Sequence, residues 1–155
     1  MRVIGDEAGG QLREPGVSIM SEEKVDVSRL AAQSKGTLVE LLGIEFVELA
    51  PERVLATLAI RDDLRTVGGA LHGGTLMAFA DTVGAVATML NLPAGAGTTT
   101  LESKTNFFAA GRSGTVRAET TPLHRGKRTM VWQTRVTDES GRLLSMTIQT
   151  QMVLG

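Results

Sequence analysis

His72, Gly73, Gly74 and Asp81 are the residues of this chain whose types and spacing could do chemistry. Asp81 is the only acid between His72 and Leu101, a stretch that also holds no Lys or Arg. A carboxylate in apolar surroundings is costly unless it is paired or has a task. The two glycines stand where a helix is expected to start. There they leave bare backbone N–H groups, and the helix dipole favours negative charge. An amide donor and an isolated acid on one helix point to chemistry at a carbonyl, with one group stabilising an oxyanion and the other acting as base or nucleophile. Each residue also has a plainer reading. The glycines could permit a tight turn or close packing, His72 could bond the backbone, and Asp81 could bond a neighbouring Thr.

The elements around these residues follow from periodicity. Residues 1–25 are polar, rich in Gly and Glu, and broken by Pro15, which reads as a mobile extension; residues 26–155 read as a single domain. From Val27 a helix is expected, with Leu30, Ala31, Leu38, Leu41 and Leu42 on its apolar face and Gly43 at its end. Val54, Ala56, Leu58 and Ile60 share one face of a strand. A buried helix runs from His72 to about Asn91, where Pro93 and the AGAG run stop it. Thr98–Phe108 and Val116–Thr121 read as strands. Met130, Trp132, Thr134 and Val136 alternate in another, and Asp138–Gly141 forms a hairpin turn. Leu144, Met146, Ile148, Thr150 and Met152 then alternate along the last strand to the C-terminus, an apolar set read as one face. The class is α+β: an antiparallel sheet of five to six strands wrapped around one long central helix.

Composition narrows the functions. A net charge of −1 points away from general nucleic-acid or membrane-surface binding. There is no cysteine, which excludes disulfides, thiol catalysis and thiolate metal sites and fits a cytoplasmic protein. His72 and His124 are the only histidines, so no metal site is expected. The opening MRVIGDEAGG has no apolar run of the kind an export signal needs. Gly74 to Leu92 approaches the length of a membrane span, but Asp81 at its middle and the alternating segments after it favour a helix covered by a sheet.

From about Leu41 to Leu154 the chain resembles the hotdog-fold acyl-CoA thioesterases, in particular the phenylacetate-pathway and hydroxybenzoyl-CoA subgroup. The resemblance rests on HGGTLMAFAD, the strand TTTLESKTNFFAAG, the turn RGKRTMVW and the terminal hairpin DESGRLLSMTIQTQMVL. It implies thioester hydrolysis without a cofactor. Asp81 would act as general base or nucleophile, and the amide of Gly73 or Gly74 would polarise the thioester carbonyl; His72 stays a catalytic candidate beside them, and its ring alone could set the loop that aims the amides. Members often carry Asn or Gln six residues before the His, where this chain has Thr66. Some use a Ser or Thr at the start of the strand after the helix. The match here is Thr100, or Thr99 if the loop is one residue shorter. Arg112, Arg125, Lys127 and Arg128 are then candidates to meet the phosphates of coenzyme A.

Geometry adds a requirement. Asp81 is eight residues beyond Gly73, about 12 Å along a helix at ~1.5 Å per residue, whereas hydrogen-bond reach is about 3 Å. Two such helices crossing antiparallel about a two-fold axis bring the amide of one subunit to the acid of the other. A homodimer is therefore expected, and the resemblance implies a further pairing into a tetramer. Two alternatives stand beside hydrolysis: a non-catalytic, regulatory acyl-CoA-binding domain, which Thr66 favours, and a dehydratase of the same fold.

Overall fold

Alternating apolar residues and well-placed turns produce one six-stranded antiparallel sheet, described for residues 27–155 by a computed structural model. The expected extension at 1–25 lies outside the described residues. The elements are α1 (Val27–Gln33), α2 (Leu38–Leu42), β1 (Ile44–Ala50), β2 (Arg53–Ala59), α3 (Gly73–Met89), β3 (Gly97–Phe107), β4 (Thr115–Arg125), β5 (Thr129–Thr137) and β6 (Leu143–Leu154). A single 3₁₀ turn, Asp62–Leu64, opens the loop from β2 to α3. The strand order is β1-β2-β4-β5-β6-β3, so β3 pairs with β6 and forms one edge. No helix among the described residues is long and apolar enough to cross a membrane.

Helix α3 lies on one face of the sheet. Leu76, Phe79, Val83, Val86 and Ala87 are buried in one cluster with Val54, Leu58, Val116, Trp132 and Val136. Burying an aliphatic or aromatic side chain of this size contributes roughly 1.5–3 kcal/mol relative to exposure, so this contact holds the two layers together. The expected inner faces of β2 and β5 are both found. Val54, Ala56, Leu58 and Ile60 are buried, as are Met130, Trp132, Thr134 and Val136.

Three expectations are corrected. The first helix is two, because Gly36 at φ 72° interrupts it, and Leu38 and Leu41 face solvent. Gly43, in the left-handed region at φ 71°, ends α2 as expected. The central helix is buried on one side only, since Met77 and Met89 are exposed and Asp81 and Ala85 are half-buried. The third correction concerns β6. A register shift leaves Leu144 between the pairs Val136–Ser145 and Thr137–Leu143, so Leu144 and Ser145 both turn inward. One extra residue reverses the parity of all that follow. The buried residues beyond it are Ser145, Thr147, Gln149 and Gln151, while Met146 and Ile148 are half-buried and Met152 is exposed.

Candidate active site

The start of α3 is shaped by three contacts. His72 is the N-cap residue, and its Nδ1 accepts the Gly74 amide N–H at 2.8 Å. The Leu76 amide donates to the His72 carbonyl at 3.1 Å and begins the helical ladder. Gly73, the first helical residue, has no acceptor for its amide among the described residues. Of the two expected donors, Gly74 is thus occupied and Gly73 is available, at the positive end of a 17-residue helix. A side chain at Gly73 would stand 3.2 Å from the ring of Phe107, so the missing Cβ is what lets this exposed aromatic lie over the helix start.

The loop before the helix is tied down locally. The Thr66 hydroxyl accepts from the Gly68 amide at 3.2 Å, and its backbone bonds Gly69 and Ala70. Arg112 donates from Nη1 to the Gly68 carbonyl at 2.8 Å. Leu71 and His72 donate to the carbonyls of Gly111 and Leu64. Thr66 and Arg112 therefore shape the segment that delivers His72 and Gly73.

Two turns along α3, Asp81 is held from the sheet. Its Oδ1 accepts from the Thr100 hydroxyl at 3.1 Å and from Gln149 Nε2 at 2.8 Å. Gln149 Nε2 also reaches the Asp81 carbonyl oxygen at 3.2 Å. Thr100 in turn accepts from Gln151 Nε2 at 2.8 Å, which commits its single proton to Asp81. Thr98 donates to Gln151 Oε1 at 3.0 Å. Strand parity places the two candidates differently: Thr98 and Thr100 share the face toward the helix and Thr99 lies on the other. A register shift between Thr100 and Glu102 leaves Leu101 unpaired at this point. The carboxylate is thus fixed through one oxygen, while Oδ2 receives no donor among the described residues.

Gln149 and Gln151 are fully buried, and the sequence reading missed them. Their signal is the polar set Ser145, Thr147, Gln149 and Gln151 at two-residue spacing, as regular as the apolar alternation in the same strand.

The four cationic residues do not form one patch within the chain. Arg112 sits near the start of α3, through Gly68. Arg125 sits near its other end, with Nη1 3.0 Å from Asn91 Oδ1 and 3.5 Å from Glu52. Lys127 and Arg128 border an open groove of about 790 Å³, shared with the Pro93–Gly95 loop and Leu154.

The family model for the thioesterase superfamily matches residues 68–145, the span from the loop before α3 to the start of β6. The chain is 32% identical over 133 residues to the 1,4-dihydroxy-2-naphthoyl-CoA hydrolase of Escherichia coli K12, covering 86% of this chain and 98% of that protein. It is 34% identical over 126 residues to the proofreading thioesterase EntH of Cronobacter turicensis, covering 81% and 92%. A crystal structure of a Haemophilus influenzae thioesterase superposes with a TM-score of 0.81 at 29% identity, covering 84% and 92%. The antiparallel sheet wrapped on one long helix is thus the hotdog fold, and the chain belongs to the thioesterase superfamily and is a thioester hydrolase.

Proposed function

We propose that the protein hydrolyses an acyl-CoA thioester to a free carboxylic acid and coenzyme A, at two equal sites formed between subunits of a homodimer. The observation that carries this reading is the pairing of a free Gly73 amide with an Asp81 carboxylate anchored through Oδ1 alone. Each half supplies what the other lacks. The Gly73 N–H of one subunit stabilises the oxyanion that forms when the carbonyl is attacked. Asp81 of the other takes a proton from the attacking water, or attacks the carbonyl itself and is released by water in a second step. The tetrahedral species then collapses and expels the coenzyme A sulfur.

Two features support the dimer. The midpoint of Gly73 and Asp81 is Met77, an exposed apolar residue that a two-fold axis between antiparallel helices would bury. The edge strand β3 has eleven residues and exposes Leu101 and Phe107. An unprotected edge of this length is a template for pairing with a second copy. A further pairing of dimers is compatible with the remaining exposed apolar residues. Coenzyme A as carrier is supported by the naphthoyl-CoA hydrolase relative and by Lys127 and Arg128 beside the open groove.

The test is release of coenzyme A from phenylacetyl-, benzoyl-, naphthoyl- and octanoyl-CoA by the wild type and by Asp81→Asn. The wild type should turn over at least one of them. Asp81→Asn should keep the fold and lose about 10²–10⁴-fold in turnover, the usual worth of a general base. A folded Asp81→Asn protein with a third or more of normal turnover would sink the assignment.

A further inference from the structure

We propose that Gln149 is the positioning residue for the Asp81 carboxylate and that Gly84 is the notch that seats it. The inference rests on the reading of Asp81 as the acid of the reaction. Gln149 is fully buried, and its one NH₂ group spans the main-chain and side-chain oxygens of Asp81, at 3.2 and 2.8 Å. Bridging both atoms of one residue restricts rotation of the carboxylate about its side-chain bonds. With Thr100 on the same Oδ1, two donors concentrate on one oxygen, and the other is left to face the thioester and water.

The other end of the Gln149 amide explains a glycine inside the helix. Glycine costs about 1 kcal/mol relative to alanine at such a position, so a mid-helix Gly needs a reason. A Cβ on Gly84 would stand 2.9 Å from Gln149 Cδ and collide outright with Oε1. Gln149 Oε1 has no hydrogen-bond partner and lies against this bare backbone. An amide that gives up a bond on its oxygen in order to place its nitrogen on an acid is held there at a cost. In a strand whose inward neighbours on either side are Thr147 and Gln151, that cost is understandable if it sets the geometry of the reacting group.

Gln149→Met and Gly84→Ala test this from both sides of the contact. Met keeps the length and removes the donor, whereas Ala leaves Gln149 chemically intact and pushes it off the notch. Each should lower kcat by about 10–100-fold, as small misplacements of a reacting group do. KM should stay within about twofold, since the lost interaction matters only in the transition state. In an Asp81→Asn background neither change should reduce the residual rate further. A merely structural role would lower the melting temperature equally in both backgrounds and leave the ratio of kcat to wild type near one. Folded Gln149→Met with kcat within twofold of wild type, alongside an inactive Asp81→Asn, overturns the positioning role and leaves the acid in place. An active Asp81→Asn removes both. If Gln149→Met does not fold, Gly84→Ala, which favours the helix, carries the same comparison.

Discussion

His72 Nδ1 accepts the amide N–H of Gly74 at 2.8 Å, and this one bond divides the work of the two glycines. Gly74 completes the cap, and the Gly73 N–H is left without an acceptor among the described residues. His72 therefore acts on the backbone. His72→Asn, which offers an oxygen to the same amide, should keep most of the turnover and the stability. His72→Ala should destabilise the protein by about 1 kcal/mol, the usual worth of an N-cap. Turnover and thermal melts of the two variants provide the check. Loss of turnover in a stable His72→Asn protein would give the ring a part in the chemistry instead.

Sharing of the site between subunits is open to complementation. Asp81→Asn and Gly73→Pro should each be nearly inactive alone. Proline lacks the amide N–H and is tolerated at the first position of a helix, which Gly73 occupies. Gly73→Ala is the control, because it places the same Cβ against Phe107 and keeps the N–H. In a mixed dimer one site takes an intact amide and an intact acid from different chains, and the other carries both lesions. Random mixing makes about half the dimers mixed, so roughly a quarter of wild-type activity should return. Subunits that demonstrably exchange without recovery of activity would place the acid and donor in one chain.

The groove beside Lys127 and Arg128 gives a second kinetic prediction. Arg125 is already engaged by Asn91 and Glu52, so the other two cations are the better phosphate ligands. Replacing Lys127 and Arg128 with Ala should raise KM for acyl-CoA about tenfold, equivalent to ~1.4 kcal/mol of binding, with a smaller change in kcat. A short acyl-pantetheine, which lacks the nucleotide, should be indifferent to the change. Equal effects on both substrates would remove the turn from the binding site.

The β5–β6 turn holds a perturbed carboxyl. The Ser140 hydroxyl, with the Arg142 amide and guanidinium and the Ser140 amide, holds the Asp138 carboxyl below the ordinary carboxylate range, against a smaller opposing effect of burial. A group whose pKa is depressed on folding contributes stability that is complete above its unfolded value, about 3.9 for Asp, and is lost as pH falls through the native value. Asp138→Ala should therefore melt below wild type at pH 7, and the gap should narrow on acidification below about pH 4. A gap that does not depend on pH would assign the effect to lost turn geometry alone.

Much of this protein was legible before any coordinates. Glycine and proline punctuation bounded α3 to within a few residues, and alternation placed the inner faces of β2 and β5. The isolation of Asp81 and the run HGG marked the two ends of the candidate site, because rare residue types in an apolar stretch are visible locally. Tertiary structure decided the rest. A single unpaired residue at Leu144 chose which face of β6 is inside, and two equally regular patterns gave no means of choosing between them. That choice brought Gln149 and Gln151, some 70 residues beyond Asp81 in the chain, onto its carboxylate and Thr100. Strand β4, eleven residues long, separates Arg112 from Lys127 and Arg128, which follow it closely in sequence but lie toward opposite ends of α3. Local spacing reports which side chains share a face. Which faces meet depends on strand pairing, and pairing is settled by contacts between residues far apart in the chain.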